Sequence, residues 1–343
     1  MESKVRQGVT TEVVGNCGVS AAPLKKEHLD LFRKWELFAV VEYGSLVEAD
    51  VGLSWLTFED YLGELDRRGV AVNVASLVGH GTVRLDVMCF DDRRPSESEM
   101  DEMRKLVDEA MNDGAFGLSS GLVYVPGRYA DTDELVELSK VVGRYGGFYA
   151  SHVRNDSDQM VEAVCEAVEI GEQAGVDIQV SHLGNVKGQV NWKVKIREAL
   201  KVMEDARGRG LDILCDAVFP YTAWGMKSYP LSALLPDWVL KDGVEEMVKI
   251  LKDSEMCEKI RRDLDAASWD VYLKPPLKMY GWDAVMIVHA GKNKVLEGRM
   301  IGEIAKSMGK DPLDLTFDLL IDEEGDIEVM RFGLWCEEDV CTT

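Results

Sequence analysis

Short apolar runs of β type alternate along the chain with longer stretches in which apolar residues return every three or four positions. The runs at 9–15, 71–78, 115–119, 147–151, 177–181 and 211–218 predict strands. Helices are signalled between them. Ser96 and Glu99 have capping-box spacing ahead of Met100, Met103, Leu106, Val107, Ala110 and Met111, and Gly114 stops that helix. Asp131 or Thr132 opens another, through Leu135, Leu138, Val141 and Val142. Ser157 opens a third, through Met160, Val161, Val164, Cys165 and Val168, ending near Gly175, and 192–208 reads as a fourth. Strand and helix alternating at about thirty-residue spacing implies a parallel sheet with crossover helices. Six such units make most of a (β/α)₈ barrel, with a doubly wound sheet as the alternative. No Gly-x-Gly-x-x-Gly follows the first strand and no phosphate-binding loop is present, which removes the commonest ligand of the doubly wound form.

The rhythm changes after residue 220. Segment 228–315 holds Pro230, Pro236, Pro275 and Pro276, short helical stretches and one strand-like run from Ala284 to His289. It reads as an inserted lid subdomain rather than barrel wall. The expected organisation is therefore 1–227 as barrel, 228–315 as the insertion, and 316–343 as a truncated return towards the barrel. Residues 25–70 form a smaller excursion.

Composition narrows the function. The net charge of −23, from 62 acidic and 39 basic residues in 343, repels phosphate backbones and anionic membranes, so nucleic acid is not an expected partner. No apolar stretch approaches the roughly 20 residues of a membrane helix, and the N-terminus lacks the apolar core of a signal peptide. The 7 cysteines are scattered, without a CxxC pair, which fits a reducing cytoplasm better than a disulfide framework.

The candidate chemistry lies at strand ends. Ser151-His152 and Ser181-His182 each close an apolar run, about thirty residues apart, which is the length of one βαβ unit. Both imidazoles then belong at the same end of neighbouring parallel strands, the end where β/α barrels keep their active sites. Cys17 follows the first run inside Gly15-Asn16-Cys17-Gly18. A cysteine and two histidines suit Zn²⁺, and three protein ligands with an open position make a catalytic site. His80, inside Gly-His-Gly, is either a further ligand candidate or a structural residue that shapes a tight turn or bonds the backbone. His28 and His289 read as structural or surface residues. Arg154 either orients a ligand or pairs with an acid on the rim, and Asp216 reads as a partner to a ligand histidine. Gly-Leu-Ser-Ser-Gly at 117–121 is not a nucleophile elbow.

Six segments carry a family resemblance: Gln7 to Gly18, Gly79 to Arg84, Gly117 to Pro126, Ser151 to Arg154, Ser181 to Leu183 and Asp216 to Tyr221. In this order they resemble the N-acyl-D-amino-acid deacylases (D-aminoacylases) of the amidohydrolase superfamily. The resemblance implies a zinc-dependent TIM barrel that hydrolyses the amide of an N-acyl-D-amino acid. It implies Cys17, His152 and His182 as metal ligands and Tyr124 and Tyr221 as substrate-site tyrosines, with Arg154 as a further substrate-site candidate. The family's first-strand His-x-His or His-x-Asp pair would lie upstream of Gly8, and its Gly-Ser-Asp motif, with the catalytic aspartate, beyond Thr343. No catalytic residue is therefore assigned within the chain, which reads as an internal piece expected to hydrolyse slowly or not at all alone. Where the family has a lysine after the second Ser-His-Leu, Gly184 stands here, with Lys187 nearby. Two open sheet edges, at 9–15 and 211–218, predict self-association or a separate chain supplying the missing ends. A silent remnant acting as a binding partner is one alternative. Cyclic amide hydrolysis is another, against which the Cys17 motif argues.

Overall fold

The computed structural model describes residues 2–32, 55–155, 159–183, 192–217, 229–240, 244–266 and 281–331. The first part is built on parallel strands: β1 (Thr11–Val14), β2 (Asn73–Ser76), β3 (Val78–Gly79), β4 (Gly117–Gly121), β5 (Phe148–His152), β6 (Asp177–Val180) and β7 (Ile213–Cys215). β3 to β7 are hydrogen-bonded in chain order, and β1 pairs with β2. The run expected as one strand at 71–78 is divided at Leu77. Its first half bonds β1, its second half bonds β4, and the Phe116 N–H donates to Ser76 across the break. Six strand positions therefore follow one another, and among the described residues the sheet does not close into a barrel. β1 and β7 are its outer strands, with Leu214 56% exposed.

Helices cross from strand to strand: α1 (Glu2–Arg6) precedes the sheet, and α2 (Phe58–Arg68), α3 (His80–Met88), α4 (Glu97–Asn112), α5 (Thr132–Gly143), α6 (Met160–Ala174) and α7 (Trp192–Gly208) follow. Their ends obey local chemistry. Ser96 and Glu99 form the capping box of α4, and Asp131 caps α5 by accepting from the Glu134 N–H at 3.0 Å. Gly175 closes α6 in the left-handed region, φ 68°. The expected opener of α6, Ser157, lies outside the described residues. The apolar stripes Met103/Val107, Leu135/Leu138/Val142 and Val164/Val168 pack against Val78, Leu118, Tyr149 and Ile178 of the sheet in one core. α3 departs from this pattern. All but one of its residues are buried, including His80, Arg84 and Asp86, so it shows no amphipathic stripe.

Inside this core sits a charged cluster. His80 Nε2 bonds Glu134 at 2.7 Å, and Arg84 pairs with the other oxygen of the same carboxylate at 2.5 Å. None of the three is more than 2% exposed. Of the readings of His80, the structure gives the structural one in another form, a buried side-chain pair joining α3 to α5, and leaves it outside the group formed by Cys17, His152 and His182. His28 is half-buried against Asp86, and the exposed His289 bonds Asp326.

A second core gathers residues 231 to 329. Here β8 (Tyr229–Pro230), β9 (Val285–Ala290) and β10 (Ile327–Arg331) form an antiparallel sheet in the order β8-β10-β9. Against it pack α9 (Val244–Leu251), after the single turn α8 (Asp237–Leu240), and then α10 (Ser254–Ala266), α11 (Ile301–Met308) and α12 (Pro312–Asp322). Asp311 caps α12, with Pro312 in its first turn. The unit runs past the boundary expected at 315. That boundary falls inside α12, whose buried Leu315, Phe317, Leu319 and Leu320 belong to this core. Among the described residues no helix is long and apolar enough to cross a membrane.

Candidate metal centre

β1, β5 and β6 run parallel, so their C-terminal ends lie on one side of the sheet, and each delivers one ligand-type side chain there. After Val14 the chain turns through Gly15, Asn16, Cys17 and Gly18, and Gly15, Cys17 and Gly18 all have positive φ. For a cysteine, φ 56° is a strained conformation held in place by its surroundings. Ser119 on β4 is the main clamp. Its hydroxyl donates to the Gly15 carbonyl and accepts from the Gly18 N–H at 3.0 Å, spanning Cys17 on both sides. Gly121, at the end of β4, lies directly under the Cys17 backbone, and in the β4–β5 ladder it is paired with His152.

His152 ends β5 and is 1% exposed. His182 stands two residues beyond β6, at φ 39°, and its N–H donates to Asp216 Oδ1 at 2.7 Å. The other Asp216 oxygen accepts from Gln179 at 2.7 Å, so this carboxylate ties the β6 terminus to the segment after β7. Under the site the Tyr149 hydroxyl bonds Ser120 at 2.5 Å and Ser151 at 3.5 Å. Burial pushes that phenol up to about 12, which keeps it a neutral donor.

The ligand atoms of Cys17, His152 and His182 lie within 4.8 Å of one another, the one such group of three among the described residues. Cys17 Sγ is 3.5 Å from His182 Nε2, and the two imidazoles meet edge to face with ring centres 4.3 Å apart. Tetrahedral zinc with Zn–S of about 2.3 Å and Zn–N of about 2.05 Å separates a sulfur and a nitrogen ligand by about 3.6 Å. The observed spacing therefore fits that donor set. Electrostatics agrees. Burial, and then the neighbouring His182, push His152 well below the ordinary imidazole value. Burial also lowers His182, against the opposing pull of Asp216. Neutral imidazole is the ligating form.

Of the other sequence candidates, Tyr124 joins the group. It is buried, with its ring centre 5.0 Å from that of His152. Arg154 is differently placed: its guanidinium bonds Glu166 at 2.8–3.3 Å and the carbonyls of Arg128 and Ala130 at 3.1 and 2.9 Å, the rim-pair arrangement. Tyr221, Gly184 and Lys187 lie outside the described residues. Sequence reading puts Ser119 to Tyr124 at the same strand ends but does not show that Ser119 and Gly121 hold the Cys17 loop, although their Gly-Leu-Ser-Ser-Gly setting, small residues between two glycines at a strand end, is the signal of close backbone approach. Replacing Ser119 with alanine is expected to leave the buried Gly18 N–H without its acceptor and to cost about 1–3 kcal/mol in a urea unfolding titration. A change under about 0.5 kcal/mol would show that the clamp does not hold the loop.

No family model matches the chain. Its sequence is 38% identical over 229 residues to a D-aminoacylase from Alcaligenes xylosoxydans xylosoxydans, an alignment covering 65% of this chain and 43% of the relative. Among solved structures, a D-aminoacylase reported to define a novel subset of amidohydrolases superposes with a TM-score of 0.62 at 29% identity, over 98% of this chain and 57% of that one. An N-acyl-D-glutamate deacylase from Bordetella bronchiseptica, solved with zinc and a phosphonate inhibitor mimicking the tetrahedral intermediate, has the same fold. Its TM-score is 0.65 at 24% identity, over 98% of this chain and 57% of that one. The chain thus spans about half the length of the relatives it matches, 43% of this D-aminoacylase and 57% of the two solved structures. By sequence and by the order of its parallel strands the chain is similar, over part of their length, to D-aminoacylases and N-acyl-D-amino-acid deacylases.

Proposed function

We propose that this chain holds a zinc ion on Cys17, His152 and His182 and serves the hydrolysis of N-acyl-D-amino acids to the free amino acid and a carboxylate. The observation that carries the reading is the convergence of three ligand atoms within 4.8 Å from three separate strand ends. The homology to deacylases gives the substrate class. Bound there, zinc supplies Lewis-acid polarisation of an amide carbonyl and activation of water near neutral pH.

The chain's own residues do the positioning. His152 and His182 present neutral nitrogens because burial disfavours their protonated forms. Asp216 holds the His182 backbone in its strained conformation. Tyr124 packs edge-on against His152, which fixes the imidazole plane and gives an acyl group a wall. Arg154 cross-links the loop at 128–130 to Glu166 on α6, holding the rim beside Tyr124.

The test is release of free amino acid from N-acetyl-D-amino acids with acidic and neutral side chains, beside their L enantiomers, with the chain loaded with zinc or stripped by chelator. The expected result is slow, zinc-dependent release from D substrates only, falling more than about a hundredfold in His182→Ala, since even an outer partner of a metal ligand is worth 10–100-fold. Release that survives His182→Ala, or favours the L form, would overturn the reading.

A further inference from the structure

Away from the metal centre, three side chains from two segments form a second line of titratable groups. Asp86, on the last turns of α3, is 1% exposed. Its Oδ1 lies 3.2 Å from His28 Nδ1, and the other nitrogen of that ring, Nε2, lies 4.0 Å from Cys89 Sγ. An Nδ1–H donating to Asp86 leaves the Nε2 lone pair directed at the thiol, because the bond made by one nitrogen decides the tautomer at the other. A carboxylate, an imidazole and a thiol in series are the parts by which a histidine base activates a cysteine.

Two independent observations separate this group from an ordinary core contact. Cys89 is the C-terminal cap of α3, with φ 54° and ψ −126°. Helices usually put glycine at such a position, because a side chain strains the backbone there. A cysteine under strain, half exposed and beside an imidazole, is an outlier of the kind that marks chemistry. The second is the other oxygen of Asp86, which is buried without a hydrogen-bond partner. Such a carboxylate is under-compensated, and a proton arriving on His28 gives it a cation at contact distance. The charged groups facing this line are Lys25, whose N–H bonds Asp86 Oδ1 at 2.7 Å and whose ammonium reaches the Asp86 carbonyl at 3.0 Å, then Glu102, paired with that ammonium at 2.7 Å, and Glu27 on the same turn as His28.

The geometry points to Cys89 as a thiol activated by His28 and Asp86, a modification site that takes small aliphatic disulfides. The Sγ proton passes to His28 Nε2. The thiolate attacks one sulfur of the disulfide, the S–S bond breaks, and a mixed disulfide forms on Cys89. The other half leaves as a thiolate and takes up the proton from His28. No electrons beyond those of the exchanged S–S bond are needed.

The probe is bis(2-hydroxyethyl) disulfide, which is uncharged and so indifferent to the acidic surface. The rate of mixed-disulfide formation at each cysteine is read by peptide mass spectrometry near neutral pH, beside a free cysteine amide. A partly buried thiol without a base reacts more slowly than the free amide. One held beside a base that takes its proton gains in thiolate, loses part of that gain to weaker nucleophilicity, and comes out about threefold faster. The expected result is Cys89 above the free amide by about that factor, falling below it in His28→Gln, with Cys165 unchanged as the internal reference. If His28→Gln does not fold by circular dichroism, Asp86→Asn makes the same test, and the comparison with the free amide needs no variant. Cys89 slower than the free amide in the native chain, or as fast or faster in the folded His28→Gln or Asp86→Asn variant, would overturn the assignment.

Discussion

Replacing Glu134 with leucine is expected to destabilise the first core by about 3–5 kcal/mol, the cost of breaking a buried ion pair by removing one partner. Arg84 is fully buried, and its remaining bonds, to the carbonyls of Asp91 at 3.3 Å and Arg93 at 2.7 Å, do not neutralise it. His80 loses its bond in the same substitution. A urea titration followed by circular dichroism measures the change, and a loss under about 1 kcal/mol would mean that Arg84 finds another way to be neutralised or hydrated. The same carboxylate predicts a pH dependence. Burial pushes Glu134 up, but the hydrogen bond and charge of His80 and then Arg84 outweigh it, so in the fold it sits below the usual 4.5. A carboxyl that is more acidic in the fold binds fewer protons there than in the unfolded chain. Its contribution is complete above about pH 4.5 and is lost as the pH falls from there through the folded value. Over that acid range the native chain should lose stability faster than Glu134→Leu. Parallel slopes would remove Glu134 from the account.

Gly121→Ala is expected to disable the metal centre by moving the Cys17 loop. A Cβ on Gly121 would collide with the Cys17 carbonyl oxygen and come within 2.6 Å of Tyr124 Cδ2 and 2.9 Å of the Cys17 carbonyl carbon. The strand cannot yield, because Gly121 is in register with His152. Relief must come from the loop, already strained at Cys17. The expected cost is about 1–3 kcal/mol in stability, with zinc affinity down more than about tenfold in a chelator competition titration. Gly63→Ala is the matched control. Gly63 lies inside α2 with nothing within 4 Å of the added carbon, so that change should leave affinity alone and stabilise by about 0.5–1 kcal/mol. Unchanged zinc affinity in Gly121→Ala would show that the loop adapts without moving the thiolate.

The convergence of Cys17, His152 and His182 was legible in the sequence because each follows or closes a strand-like run and a parallel sheet aligns such ends. Strand lengths were less legible. The run at 211–218 gives three ladder residues, Ile213 to Cys215, and the strand expected at 115–119 starts at Gly117 and runs on to Gly121. Apolar character extends beyond the hydrogen-bonded segment, as in the 56% exposed Phe116. α3 was not legible, since a helix buried on nearly every side has no polar face to mark its period. For the same reason the roles of Arg84 and Asp86, charged residues in an apolar stretch, did not show. Glu134 looks like any acid in the first turn of an amphipathic helix, and nothing local says that it faces Arg84 fifty residues earlier.

The measurement that tests the central claim most directly is metal content by plasma mass spectrometry on the purified chain, native beside Cys17→Ala, each exposed to zinc and then dialysed. The account predicts about one zinc per native chain and almost none in the variant, with both folded by circular dichroism. A well-folded native chain without metal, or a variant that keeps its zinc, would contradict the assignment of Cys17, His152 and His182 as the ligand set.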